Sequence, residues 1–202
     1  LNDSLNAGGF GAARTIRVRN GDIAVAEIDI LKAHQVKLVA DDGRIEVQGK
    51  VDASGNAGGT IGLYAKQDVI LTKGALDASA SEDGNEGGKV TLATTEGQVI
   101  IGAEAKINVS GGSNAQGGTV LLRAPRVDSN SDGKDDDVAV AAVAGSLAGA
   151  SEVVVEAVKL YDASTLSVTG KTVAGGNFNV TTTGADATVF KDINSFITDN
   201  KV

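Results

Sequence analysis

Paired glycines recur along this chain at a nearly constant step. They stand at Gly58-Gly59, Gly87-Gly88, Gly117-Gly118 and Gly175-Gly176, separated by 29, 30 and 58 residues, the last being twice 29. Self-similarity at a fixed period near 30 is the signature of a solenoid, in which each repeat is one supersecondary unit and cannot bury its apolar face without a neighbour. After each pair comes a short alternating run: Ile61 and Leu63, Val90 and Leu92, Val120 and Leu122, Phe178 and Val180. A second run follows at Val69 and Leu71, and at Val99 and Ile101. A third appears as "VDAS" at Val51, "LDAS" at Leu76, "INVS" at Ile107 and "LSVT" at Leu166.

Alternation at period 2 marks strands with one buried and one solvated face. Three such strands per unit, stacked vertically on their equivalents in the next unit, place columns of Val, Ile and Leu inside. The predicted fold is therefore all-β, a right-handed parallel β-helix of about seven three-strand coils. The first-strand markers are Ile16, Val36, Ile61, Val90, Val120, Val153 and Phe178. Inward positions include Val18, Ile23, Val25, Leu38, Ile45, Val47 and Val155. Leu63, Leu92 and Leu122 form one inward column, with Thr91 on the wet face. Val153 and Val155 are placed inside because the opposite phase buries Glu152 and Glu156. The Gly-Gly pairs are read as left-handed residues that re-enter the next coil. They open strands rather than helices, which argues against a phosphate-cradling loop.

The 202 residues are read as one β-helix segment. Regular coils run from about 14 to 182, an insertion occupies 126–137, and 183–202 form a cap or the start of the next segment. In the last part Val189, Phe190, Ile193, Phe196 and Ile197 lie at helical spacing. A start Met is absent, so the chain reads as a piece of a longer protein.

Composition narrows the function classes. With no Cys, Met or Trp and 3% aromatic residues, the core is aliphatic, and disulfides and thiolate metal sites are excluded. A net charge of −8 with scattered Lys and Arg argues against nucleic acid as a partner. No apolar run approaches the ~20 residues of a membrane helix.

The phrase "GGTIGLYAKQDVILTKGALDASA", with "GGTVLLRAPR" and "DVAVAAVAGSLAGASEVVVEAVKLYD", is similar to the repeats of filamentous-haemagglutinin-like exoproteins of bacteria. The similarity covers about Thr15 to Val180. It implies export by two-partner secretion, with an outer-membrane two-partner transporter as partner. It also implies a secreted or cell-surface location and a role as an adhesin meeting a host or neighbouring-cell receptor or glycan. It transfers no catalytic residue, and the chain is read as a non-enzymatic structural and adhesive shaft.

One segment breaks the period. In "RVDSNSDGKDDD", Asp128, Asn130, Asp132, Gly133 and Asp136 hold positions 1, 3, 5, 6 and 9 of a calcium loop, and the Lys134 carbonyl adds a further donor. Alternate side chains can then converge on one cation while glycine permits the sharp turn. Position 12 is Ala139, so the bidentate carboxylate is missing, and Asp135 or Asp137 is its substitute. Five carboxylates within ten residues repel one another and call for a counter-ion. The competing reading is a solvated acidic loop. The alternative function is a calcium-dependent polysaccharide lyase, with Arg123 or Arg126 as base beside Asp128 to Asp136. His34, the one histidine, opens a strand and is read as an edge or surface residue.

Overall fold

The computed structural model describes residues 2–131, 133, 135–141 and 143–160 in full, together with the backbone of 169–172 and 178–181. The chain packs as two units, 1–159 and 160–202.

The first unit opens with a short helix, α1 (Asn2–Ala7), followed by coils of three strands. The first coil holds β1 (Ala13–Val18), β2 (Ile23–Val25) and β3 (Ile30–Lys32). The second holds β4 (Gln35–Ala40), β5 (Ile45–Val47) and β6 (Lys50–Asp52), and the third β7 (Thr60–Ala65), β8 (Val69–Leu71) and β9 (Ala75–Asp77). The fourth holds β10 (Lys89–Thr94), β11 (Val99–Ile101) and β12 (Lys106–Asn108). In the fifth, β13 (Gly118–Val127) is lengthened, β14 (Asp137–Val138) is irregular and β15 (Ser146–Ala148) is regular. A sixth coil begins with β16 (Ala150–Val158).

Equivalent strands pair in parallel to form three sheets: β1-β4-β7-β10-β13-β16, β2-β5-β8-β11 and β3-β6-β9-β12-β15. This is the parallel β-helix that the repeat predicts. At ~4.8 Å per stacked strand, the six rungs of the first sheet span about 24 Å. The second unit contains β17 (Thr169–Thr172) and β18 (Phe178–Thr181), paired antiparallel. Phe178, the seventh marker, therefore stands in a hairpin and not on a parallel rung. Leu166 and the helical spacing from Val189 to Ile197 lie outside the described residues.

The core is a set of vertical columns. Leu38, Leu63, Leu92 and Leu122 stack in register and are at most 1% exposed. Val36, Ile61, Val90 and Val120 form the next column, and Val51, Leu76 and Ile107 a third. Burying each such side chain contributes about 1.5–3 kcal/mol, which is how strands this short hold together. Val153 and Val155 continue the first-sheet columns above Val120 and Leu122. They share the register expected of them but are not inside: they are 47% and 53% exposed, whereas Val154 and Glu156 of the opposite phase are partly covered.

Two sequence expectations change. Thr91 is buried at 6% exposure although it points away from the core. Its strand neighbours are Gly62 and Leu121, and the Tyr64 ring lies over Gly62, so the outer face is roofed at that point. The paired glycines are not left-handed either. Positive φ occurs at Gly9, Gly21, Gly84, Gly133 and Gly149, and at none of the pairs from Gly58 to Gly118. Their reason is steric. A Cβ on Gly59 would overlap the carbonyls of Ala53 and His34, one on Gly88 the Gly59 carbonyl, and one on Gly118 the Gly88 carbonyl. The backbones of successive coils meet at this corner without room for a side chain.

Candidate functional site

The insertion of the fifth coil is the extended tip of a hairpin. β13 runs past the rim of its sheet, and β14 returns antiparallel, pairing Arg126 with Val138 and Val127 with Asp137. The chain then rejoins the solenoid, where Val140 bridges to Val99 and Ala139 is buried. The loop is thus spliced between two regular positions without interrupting the stack.

At its tip, Asp128 Oδ2 accepts the Gly133 amide at 2.8 Å, with Ser131 and Gly133 in left-handed conformations. Asp135 meets Lys159 Nζ at 2.9 Å. Asp137 accepts the Val138 amide at 2.7 Å, and that bond, with one from Ser129, holds its carboxyl below the usual range. Several carboxylates expected to need a counter-ion therefore take donors from the chain itself. Of the predicted calcium ligands, Asp128, Asn130 and Asp136 are on the described loop, while Asp132 and Lys134 lie outside the described residues. Among the described residues no three acidic or histidine side chains converge closely enough to hold one metal ion.

The arginines of the lyase alternative are placed apart. Arg123 forms an ion pair with Glu156 at 2.9 Å on the outer face of the first sheet. Arg126 belongs to the hairpin stem. Neither lines the open groove of about 630 Å³ across the third sheet, whose walls include Glu27, Asp29, Lys50, Lys73, Glu104 and Lys106. Within it Lys73 binds Glu27 at 2.7 Å, which raises the lysine pKa.

Beside that groove stands a polar ladder whose role sequence reasoning missed. Asp52, Asp77 and Asn108 stack in register at the end of the third strand. Each accepts the hydroxyl and the amide of the serine two residues on, Ser54, Ser79 and Ser110, with hydroxyl distances of 2.6, 2.7 and 2.7 Å. This turn fixes the corner at which the chain leaves the sheet. Lys50 Nζ lies 3.2 Å from both Asp52 Oδ2 and Asp77 Oδ2, and Asn108 Nδ2 donates to Asp77 Oδ1 at 3.3 Å. Like charges stacked one coil apart are offset by a lysine below and an amide above. The signal was present as the recurring Asx-x-Ser at the close of each repeat.

Arg14 was missed as well. It pairs with Val36 and so occupies the foot of the Val36, Ile61, Val90 and Val120 column, buried at 7% exposure. The period-2 phase of Arg14, Ile16 and Val18 could have revealed it. No protein-family model, curated protein or solved structure matches the chain.

Proposed function

We propose that this chain is a structural and adhesive shaft segment of a large secreted exoprotein on the bacterial cell surface. The observation behind this reading is the stacking of successive coils in three parallel sheets, with aliphatic columns that repeat from the second coil to the fifth. Repetition of one unit along an axis builds length and stiffness. The exterior is joined between coils by ion pairs such as Arg17 with Asp41, Lys66 with Asp42 and Lys73 with Glu27. The resemblance to filamentous-haemagglutinin-like repeats supplies the secretion route and the adhesive role. The reading includes calcium at the hairpin tip, held by Asp128, Asn130, Asp132, the Lys134 carbonyl and Asp136. External calcium at millimolar levels suits weak sites of this kind.

The charged groove on the third sheet favours carbohydrate cleavage as a second reading, since a polysaccharide enzyme needs a long cleft with central carboxylates. Incubation of the chain with acidic and neutral polysaccharides, with and without calcium, separates the two. The shaft reading expects no release of reducing or unsaturated ends, and binding of the chain to target cells. Turnover that disappears in Arg126→Ala or Glu104→Gln overturns it.

A further inference from the structure

We propose that the N-terminal end of the solenoid carries a binding site for a small oxyanion, the carboxylate or phosphate of a ligand, built from Arg14, Lys32 and His34. The site is independent of the shaft reading.

Arg14 stands where every other coil places an aliphatic side chain, beneath Val36. A buried cation there is costly unless it is hydrogen-bonded and neutralised. The hydrogen bonds are present. Nε donates to the Phe10 carbonyl at 2.9 Å, and Nη1 donates to Asn6 Oδ1 at 2.6 Å and to Asn2 Oδ1 at 3.5 Å. Asn2 and Asn6 are themselves anchored on the Ile30 carbonyl at 2.7 and 2.8 Å. Every one of these partners is neutral. Among the described residues Arg14 makes no ion pair, and its Nη2 donors have no partner and lie within reach of solvent. The guanidinium is rigidly held, charged and without a counter-ion.

An open cavity of about 280 Å³ adjoins it, lined also by Asn6, Lys32, His34 and Ser54 and by no acidic residue. Among the described residues the side chains of Lys32 and His34 make no ion pair or hydrogen bond. Elsewhere on the body Arg17, Arg44, Lys50, Lys66, Lys73, Arg123 and Lys159 meet carboxylates, whereas here three basic side chains share one concavity whose lining holds none. In a protein of net charge −8, a concavity lined only by cations and neutral groups selects an anion. Arginine N–H groups match carboxylate and phosphate oxygens, Lys32 adds charge at the rim, and the His34 ring can donate an N–H. The volume suits a ligand no larger than a single acidic sugar or a phosphorylated small molecule.

The test titrates the full chain with inorganic phosphate and, separately, with glucuronate at constant ionic strength, with chloride as control. Saturable shifts of the Arg14 Nε–H resonance and of the Gly9, Gly11 and Gly55 amides are expected from at least one of the two. The one that saturates identifies a phosphate or a carboxylate source. Lys32→Gln with His34→Gln should weaken binding at least ten-fold. Both positions are exposed, so the fold is retained and is checked by circular dichroism. Lys106→Gln, a cation elsewhere on the surface, should leave the affinity unchanged. No shift at tens of millimolar, or shifts that the double variant leaves intact, overturns the proposal.

Discussion

Gly88 lies against Gly59 so closely that a Cβ on Gly88 would overlap the Gly59 carbonyl oxygen. Gly118 repeats the relationship one coil higher against Gly88, and Gly59 one coil lower against His34. Two backbones meeting this way cannot move apart without breaking the bonds that join them, Lys89 N to Gly59 O at 2.9 Å and Thr119 N to Gly88 O at 3.0 Å.

Gly88→Ala should therefore cost about 3 kcal/mol, the upper part of the overpacking range, because backbone and not a flexible side chain must yield. Gly84 provides the contrast. Its φ is +79° and nothing lies within 4 Å of a Cβ, so Gly84→Ala should cost only about 1 kcal/mol of left-handed strain. Urea unfolding of the two variants measures the difference. Equal losses would mean that the close backbone contact costs no more than a left-handed φ, and the steric account of the pairs would fail.

The period-29 glycines and the period-2 runs were enough to read the fold class, the three strands per coil and the Leu63, Leu92 and Leu122 column. These follow from periodicity, which is a property of sequence. The reason for the glycines was not readable. A conformational and a steric demand for glycine look identical until the neighbouring backbone is placed. Thr91 was misread because the roof over it comes from Tyr64, one coil away and bent across Gly62. The fate of the acidic loop depended on donors such as Gly133 and Lys159, whose reach no spacing rule contains. Arg14 shares the alternation phase of Ile16 and Val18, but the other repeats hold an aliphatic residue at its place, so the repeat itself gives no warning of a guanidinium there.

The column itself gives the next expectation. Leu92→Ala should destabilise by about 2–5 kcal/mol through lost burial and the cavity left behind. Lys89→Asp, at an exposed position on the same strand, should stay within about 0.5 kcal/mol. Thr91 is covered on the outer face, so Thr91→Asp should be costly in its own right. Melting temperatures of the three variants test the order.

The Lys50, Asp52 and Asp77 cluster makes stability depend on pH at both extremes. Burial pushes the Asp52 carboxyl up, but the Ser54 hydroxyl and amide and Lys50 outweigh it and leave the pKa below 3.8. A lowered carboxylate contributes stability that is present above 3.8 and lost as pH falls through the folded value. Burial pulls Lys50 down, but its bonds to Asp77 and Asp52 outweigh that and raise it above 10.5. Its contribution is present below 10.5 and lost as pH rises through the folded value. Asp52→Asn keeps an acceptor for Ser54, as Asn108 does for Ser110, but removes the charge. The melting-temperature gap between wild type and variant should be widest near neutrality and narrow at both ends. A gap that does not change with pH would show that Asp52 acts through its hydrogen bonds alone.

The hairpin tip is tested by calcium. If the proposed ligands hold the ion, millimolar calcium raises the melting temperature by linkage to the native state, and Asp136→Asn removes the rise. No rise in wild type leaves the loop ordered by bonds within the chain, those from the Gly133 and Val138 amides, Ser129 and Lys159 among them.

The last expectation concerns the gradient along the axis. In a solenoid each rung is stabilised by its two neighbours, so a rung with one neighbour is weaker. Val90 and Val120 are fully buried within the column, whereas Val153, directly above Val120, is 47% exposed. Val90→Ala should cost about 2 kcal/mol, from two methyl-equivalents of burial together with the cavity. Val153→Ala should cost less than about 1 kcal/mol, since part of its surface already meets water. Amide exchange should follow the same order, slowest in β7 and β10 and faster in β16, because the more exposed side chains of β16 leave fewer buried contacts to break on local opening. Equal protection from β7 through β16 would mean that the first unit opens as one cooperative block, and the additive picture of a stacked shaft would fail.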